Sequence, residues 1–173
     1  QELGFLERYL EIEQTRFQDR LTVEMKIDGD VQEALVPCLI LQSLVENAIR
    51  HGIEPREDMG RVEICARRKD GQLELKVSDN GPGLPQAETS AARREGIGLS
   101  NTRSRLQHLY GAKQQIGLTT GPEGGLEVRL VIPFHTSSQR TVESAAEPVA
   151  ECVFKRVPET SASSRTIAPS ISA

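Results

Sequence analysis

At 173 residues the chain is long enough for one domain with a hydrophobic core and short for two. Hydrophobic residues make up 37 % and charged residues 27 %, the balance of an ordinary soluble globular protein; with aromatics at 3 % and no tryptophan, aliphatic side chains must build the core. A formal net charge of −4 leaves no basic excess to displace counterions from a phosphate backbone, which excludes a general nucleic-acid binder but not a local basic pocket.

Along the chain, Leu3, Leu6, Leu10 and Phe17 fall near one stripe with Glu and Arg between them, predicting an amphipathic helix over Gln1–Gln18. Leu21 to Ile27 alternates apolar and polar as a half-buried strand does, and Asp28-Gly29-Asp30 ends it in a turn. Pro37 is placed to open a second helix, in which Leu39, Ile40, Leu44, Val45 and Ile49 follow at helical spacing up to Gly52. Val62, Ile64 and Ala66, then Leu73, Leu75 and Val77, alternate on either side of Asp70-Gly71, the pattern of a hairpin. From Asp79 to Gly98 there is little apolar periodicity, so a long loop is expected, functional or disordered. A helix over Leu99–Tyr110 and strands over Gln115–Thr119 and Leu126–Ile132 complete the order. Hairpins dominate, which predicts an α+β two-layer sandwich: a mixed, mainly antiparallel sheet with helices on one face.

Past His135 the composition changes. Residues 136–173 carry twelve Ser or Thr and three Pro, too little apolar content for a core of their own, so the expectation is one domain over 1–135 and a disordered tail. Within the tail, Val149–Val157 has strand-like content and is able to dock on the body or a partner. The three cysteines, Cys38, Cys65 and Cys152, are odd in number and widely spaced, and are expected as reduced structural thiols of a cytoplasmic compartment. No apolar run approaches the roughly 20 residues that cross a bilayer, and no signal peptide opens the chain. Without an initiator methionine, and starting inside a helix, it reads as a piece of something longer.

Three motifs carry chemistry. On the second helix Asn47, Arg50 and His51 stand at relative positions zero, three and four and share a face. That face is either a solvated polar surface or a set for a magnesium–polyphosphate group, the amide oxygen being a hard ligand and the two nitrogen side chains meeting phosphate oxygens. Next, Asp79-Asn80-Gly81-Pro82-Gly83 follows a strand end directly. It is a plain turn, or a carboxylate that reads an exocyclic amine such as that of adenine beside glycines that let a ligand approach the backbone. Last, Gly96-Ile97-Gly98-Leu99 opens a helix, where backbone N–H groups and the helix dipole favour an anion; no Lys-Ser/Thr follows, so it is not a Walker sequence. The three in this order weigh strongly against a purely structural reading.

These residues resemble the GHKL superfamily, the shared Bergerat ATP-binding fold of gyrase, certain chaperones, mismatch-repair ATPases and histidine kinases. Glu46-Asn47-Ala48-Ile49-Arg50-His51-Gly52 is similar to its N box, Asp79 to Gly83 to its first glycine box, and Gly96 to Leu99 to its second. The strings YLEIEQTRF, LVENAIRHGI, GIGLSNTRSRL and VIPF resemble the LytS-like sensor kinases, over roughly Gln1–Phe134. The resemblance implies ATP and Mg²⁺ as cofactors, with Asn47 as the metal ligand and Arg50 and His51 facing phosphates. Asp79 would read the adenine amine, with Asn80, Gly81 and Gly83 beside the base, and Gly96, Gly98 and Leu99 would form the hinge and helix start of a long ATP lid. Glu46 and Arg105 are the expected catalytic positions; Arg103 is the alternative for the γ-phosphate. Two departures stand out. Ser43 occupies the place one turn before Asn47 where hydrolytic members carry a water-activating glutamate, which favours phosphotransfer over hydrolysis. Leu126 stands where many relatives have a small hydroxyl residue.

The function so implied is the ATP-binding catalytic domain of a two-component sensor histidine kinase. It would donate the γ-phosphoryl group to a histidine on a separate dimerisation domain of the same protein, with a LytTR-type response regulator downstream. His51 belongs to the nucleotide motif, and neither His108 nor His135 suits the acceptor role, so the chain is expected to bind ATP without phosphorylating itself. The whole protein is expected as a homodimer attached to the bacterial inner membrane with this domain in the cytoplasm. Two other readings stand beside it: a GHKL serine kinase of the anti-sigma type, and a nucleotide-binding switch without catalysis.

Overall fold

The computed structural model of the chain describes residues 1–83, 97–121, 123–138, 151–155 and 164–167. Helix α1 (Glu2–Phe17) is followed by strand β1 (Leu21–Ile27), the short strand β2 (Leu35–Pro37) and helix α2 (Ile40–Ala48). A hairpin of β3 (Gly60–Lys69) and β4 (Gln72–Asp79) comes next, then α3 (Ile97–Tyr110), β5 (Gln115–Thr120) and β6 (Leu126–Pro133). Beyond the body lie β7 (Glu151–Val153) and β8 (Ser164–Ile167).

Six strands form one sheet in the order β5-β6-β4-β3-β1-β8. Every pair is antiparallel except β1 with β3, which are joined through α2, a connection long enough for the crossover that parallel strands need. The register lines Met25, Ile64, Val77 and Val128 into one row and Ile27, Ala66, Leu75 and Leu130 into the next. These rows are buried, together with Leu3, Leu6 and Leu10 of α1, Leu41, Leu44 and Val45 of α2, and Leu99 and Leu106 of α3. The core therefore lies between one sheet face and the helices. The opposite face carries the alternate residues, a mesh of ion pairs in which Lys26 meets Glu24 and Glu63, Lys76 meets Glu63 and Glu127, and Glu74 holds Arg67 and Arg129. Asp70 and Gly71 take φ values of 49° and 74°, the left-handed pair that a two-residue hairpin requires.

Three expectations need correction. Pro37 ends β2 and does not open the helix: α2 starts at Ile40 after Leu39, which sits in the left-handed region at φ 62°. The helix is also not regular up to Gly52, because Ile49–Ile53 forms a wider π turn in which the Glu54 N–H bonds to the Ile49 carbonyl at 2.9 Å. Nor are the cysteines all free. Cys38 and Cys152 form a disulfide with Cα atoms 4.9 Å apart, because the antiparallel ladder of β7 on β2 sets Cys152 opposite Val36, beside Cys38; sequence spacing gives no hint of that pairing. Of the segment past residue 138, the described pieces are strands: β7 on β2, with Phe154 fully buried behind it, and β8 on the edge of β1. Among the described residues no helix is long and apolar enough to cross a membrane.

Candidate functional site

The strand period that buries Leu73, Leu75 and Val77 also turns Asp79, the last residue of β4, toward the helices. The residue is only 6 % exposed. One oxygen, Oδ1, accepts hydrogen bonds from the Gly81 N–H at 2.8 Å and the Leu126 N–H at 3.3 Å. Among the described residues nothing donates to Oδ2. Burial pushes the carboxyl above its ordinary pKa, and the two N–H groups and the Arg56 guanidinium pull the other way. A buried carboxylate with one oxygen held and one unclaimed is a fixed acceptor for a ligand N–H.

Around it the backbone approaches too closely for side chains. A Cβ on Gly52, at the end of the π turn, would lie 2.5 Å from the Asp79 Cγ, and one on Gly81 would run into Gly52. Gly125, in the turn between β5 and β6, lies against the Asp79 carbonyl with no room for a Cβ. Three segments distant in sequence thus meet at Asp79 through glycines. Gly83 has φ +70° and faces the Gly124 carbonyl.

Asn80 has a different part. Its Nδ2 donates to the Met59 carbonyl at 3.0 Å and its Oδ1 accepts from the Arg61 N–H at 2.8 Å, while the Arg56 guanidinium donates to its carbonyl. The side chain clamps the exit of β4 to the start of β3 and so holds Asp79 in place. On α2, Asn47 is half-buried and Glu46, Arg50 and His51 are exposed, while Leu44, Val45, Ala48 and Ile49 face the core. The polar residues thus share the outward side, with Arg50 and His51 carried by the π turn. Glu46 accepts from Gln42 Nε2 at 2.8 Å. Wide turns of this kind concentrate at functional sites; this one brings Gly52 against Asp79.

On α3, Leu99 is buried and packs in the core, and Gly98 is exposed with open space around it. Gly96 lies outside the described residues, as does most of the long loop. Arg105 donates from Nη1 to the Cys38 carbonyl at 2.6 Å. Cys38 precedes α2, whereas Gly52 and Asp79 meet beyond its far end, so in this conformation Arg105 serves the opposite end of the helix from the carboxylate. Sequence reading missed Arg56, Gly125 and the Leu126 N–H as parts of the site. The paired glycines of the turn were a usable signal; nothing in the sequence marks Arg56. Among the described residues no three His, Cys, Asp or Glu side chains converge on a metal position.

Comparison with known proteins identifies the family and the fold. Residues 33–136 match the family of histidine kinase-, DNA gyrase B- and HSP90-like ATPases. The chain is 33 % identical over 150 residues to the sensor protein LytS of Bacillus anthracis, covering 82 % of this chain and 26 % of LytS. It is 36 % identical over 133 residues to the sensor histidine kinase BtsS of Escherichia coli K12, covering 77 % of this chain and 23 % of BtsS. It therefore spans about a quarter of the length of these relatives. Among solved structures, the catalytic domain of histidine kinase ThkA superposes with a TM-score of 0.57 at 20 % identity, covering 73 % of this chain and 88 % of that one. The blue-light activated histidine kinase of Erythrobacter litoralis EL346 gives 0.56 at 24 %, covering 80 % and 42 %. At these identities the structural likeness speaks for the fold alone.

Proposed function

Because the chain belongs to the histidine kinase-, DNA gyrase B- and HSP90-like ATPase family, we propose that it is the ATP-binding catalytic domain of a sensor histidine kinase, passing the γ-phosphoryl group to a histidine on a domain outside this chain. The observation that carries the reading is Asp79: a buried carboxylate whose Oδ1 is held by two N–H groups and whose surroundings are cleared by glycines. An adenine amine donates to Oδ2, and the glycine backbone lets the flat base lie close.

The Asn47 amide, half-buried on α2, would hold a Mg²⁺ ion through its oxygen, a hard ligand of the kind this ion takes. When bound, the ion would neutralise negative charge on the phosphates. Arg50 and His51 on the same side orient the phosphates. Asn80 holds Asp79 and is assigned a positioning role. Glu46, exposed beside Asn47, is assigned to the approach of the acceptor histidine. Arg105 would reach phosphate only after leaving the Cys38 carbonyl. Catalysis of this type is positioning and charge neutralisation, with little covalent work for the protein.

The ATP-binding unit is assigned to residues 1–135, with β7 docked on it. The similarity to LytS and BtsS supports a dimerisation domain and a response regulator as partners. We add to the proposal a regulator of the LytTR type and a membrane-attached homodimer with this domain in the cytoplasm. Calorimetric titration of the chain with ATP, with and without Mg²⁺, tests the core of the reading. Asp79→Ala should abolish measurable binding, and Asn47→Ala should bind ATP but lose the gain from Mg²⁺. Binding that survives Asp79→Ala unchanged would refute the adenine assignment.

A further inference from the structure

Of the three cysteines, Cys65 lies on the open sheet face, and burial and the Glu63 carboxylate push its thiol up to about 11. At neutral pH it stays protonated and is a poor exchange partner. Cys38 and Cys152 are different: they are bridged across 114 residues of sequence, and each end of the bridge sits at a junction.

Cys38 stands where the three helices meet. Its carbonyl receives Arg105 of α3. The next residue is the left-handed Leu39, whose N–H, at 2.7 Å, and that of Leu41, at 2.9 Å, are both bound by the Glu2 carboxylate of α1. Cys152 is the central residue of β7. Its neighbour Glu151 accepts from the Tyr110 hydroxyl at the end of α3 at 3.1 Å and lies 3.5 Å from His135 Nε2. Two residues on, Phe154 is fully buried and its N–H bonds to the Ala34 carbonyl at 2.7 Å. Segment 151–155 is thus a strap along β2, tied through Cys38 to the approach of α2. A ladder of three residues is weak by itself, so the covalent tie adds to the hold that buried Phe154 and the Glu151 contacts supply.

We propose that Cys38–Cys152 is a thiol–disulfide control site, in which reduction by a cellular dithiol releases the strap and loosens the α1–α2–α3 junction that presents the nucleotide-binding face of α2. In a reducing compartment a disulfide is transient and redox-sensing more often than structural. In the exchange, one thiolate of the dithiol attacks a sulfur of the pair, forming a mixed disulfide and expelling the other cysteine as a thiolate, which takes up a proton. The second thiol of the reductant then displaces the remaining cysteine. Two electrons and two protons end on Cys38 and Cys152, and the reductant leaves as its own disulfide. Freed of the bridge, the strap opens at lower free energy than the sheet, and ATP must then order what the bridge had already ordered, which weakens binding. The inference rests on the ATP-binding reading above for its effect, and not for the strap itself.

Hydrogen exchange of the 173-residue chain, oxidised and after treatment with dithiothreitol, tests the strap, and ATP titration of the same samples tests the coupling. Amides of residues 34–41 and 151–155 should exchange at least about tenfold faster after reduction while β3 and β4 are unchanged, and ATP affinity should fall severalfold. Cys152→Ser should behave as the reduced chain in either buffer, and Cys65→Ser should respond as the parent does. Equal protection of both segments in the two redox states overturns the proposal, and so does faster exchange with unchanged ATP affinity. Failure of ATP to bind in either state sinks the nucleotide reading and the control of that site together; the exchange data still report the strap separately, so the two failures are told apart.

Discussion

Asp79 concentrates the conflict between stability and binding at a single side chain. Its carboxylate is buried with no cation in direct contact among the described residues, and its pKa is raised by that burial. The folded chain therefore holds the proton more tightly than the unfolded chain, so stability falls as pH rises through the window above the ordinary 3.8. Asp79→Asn separates the two demands. The amide oxygen must stay at the Oδ1 position to accept from Gly81 and Leu126, which turns the NH₂ toward the adenine amine, donor against donor. ATP affinity should drop about 10- to 100-fold while the thermal midpoint at pH 7 does not fall; calorimetry and a melting curve check both, and a variant that binds like the parent would contradict the orientation assigned to Oδ2. Gly52 gives the steric counterpart. A methyl group there meets the Asp79 Cγ at 2.5 Å, so Gly52→Ala should cost about 1–3 kcal/mol in urea unfolding and abolish ATP binding.

Helix α2 carries the polar residues of the site but does not secure its own first turn. No side chain of its N-cap residue Leu39 makes a capping bond; the cap comes from Glu2 of α1, 1 % exposed, bonded to two N–H groups there. Burial raises the Glu2 carboxyl, and the backbone N–H groups and the Arg105 charge oppose the rise. Helix-start N–H groups are anion acceptors by dipole and by unmet hydrogen bonding, which explains why a carboxylate is tolerated at this depth. Glu2→Ala leaves those N–H groups without partners and should lower stability by about 1–2 kcal/mol. It should weaken ATP binding far less than Asp79→Ala, because the cap and the carboxylate site lie at opposite ends of α2. Urea unfolding beside an ATP titration measures the two effects, and an unchanged unfolding midpoint would show that the cap is dispensable.

The molecule as a whole is a sheet with one face given to helices and the other to water. The watery face is crossed by ion pairs such as Glu24–Arg61 and Lys26–Glu63; exposed pairs of this kind contribute little each, so they keep the face soluble and unpaired more than they hold the fold. The long-range tie is the disulfide. A bridge spanning 114 residues restricts the unfolded chain substantially, and its reduction should lower unfolding free energy by about 2–4 kcal/mol. Urea curves with and without dithiothreitol measure this, and a Cys38→Ser/Cys152→Ser double variant should show no response to the reductant; coincident curves for the parent would mean that the bridge is not formed in solution.

Much of this was legible before any tertiary structure. Strand β1 over Leu21–Ile27 and the β3–β4 hairpin around Asp70-Gly71 follow from alternation, since a strand's period of two assigns faces without reference to its partners. The family followed from local strings, because helix-borne and turn-borne ligand groups are encoded by spacing within a few residues. What required the tertiary structure was everything made by contact between distant segments: the meeting of Gly52, Gly81 and Gly125 at one carboxylate, the clamp of Asn80 on β3, the cap lent to α2 by Glu2, Arg105 on the Cys38 carbonyl, and the joining of Cys38 to Cys152. Spacing along the chain records which side chains share a face; it carries no record of which faces the folded chain brings together, because that is settled by how the sheet register and the helix packing close around one core.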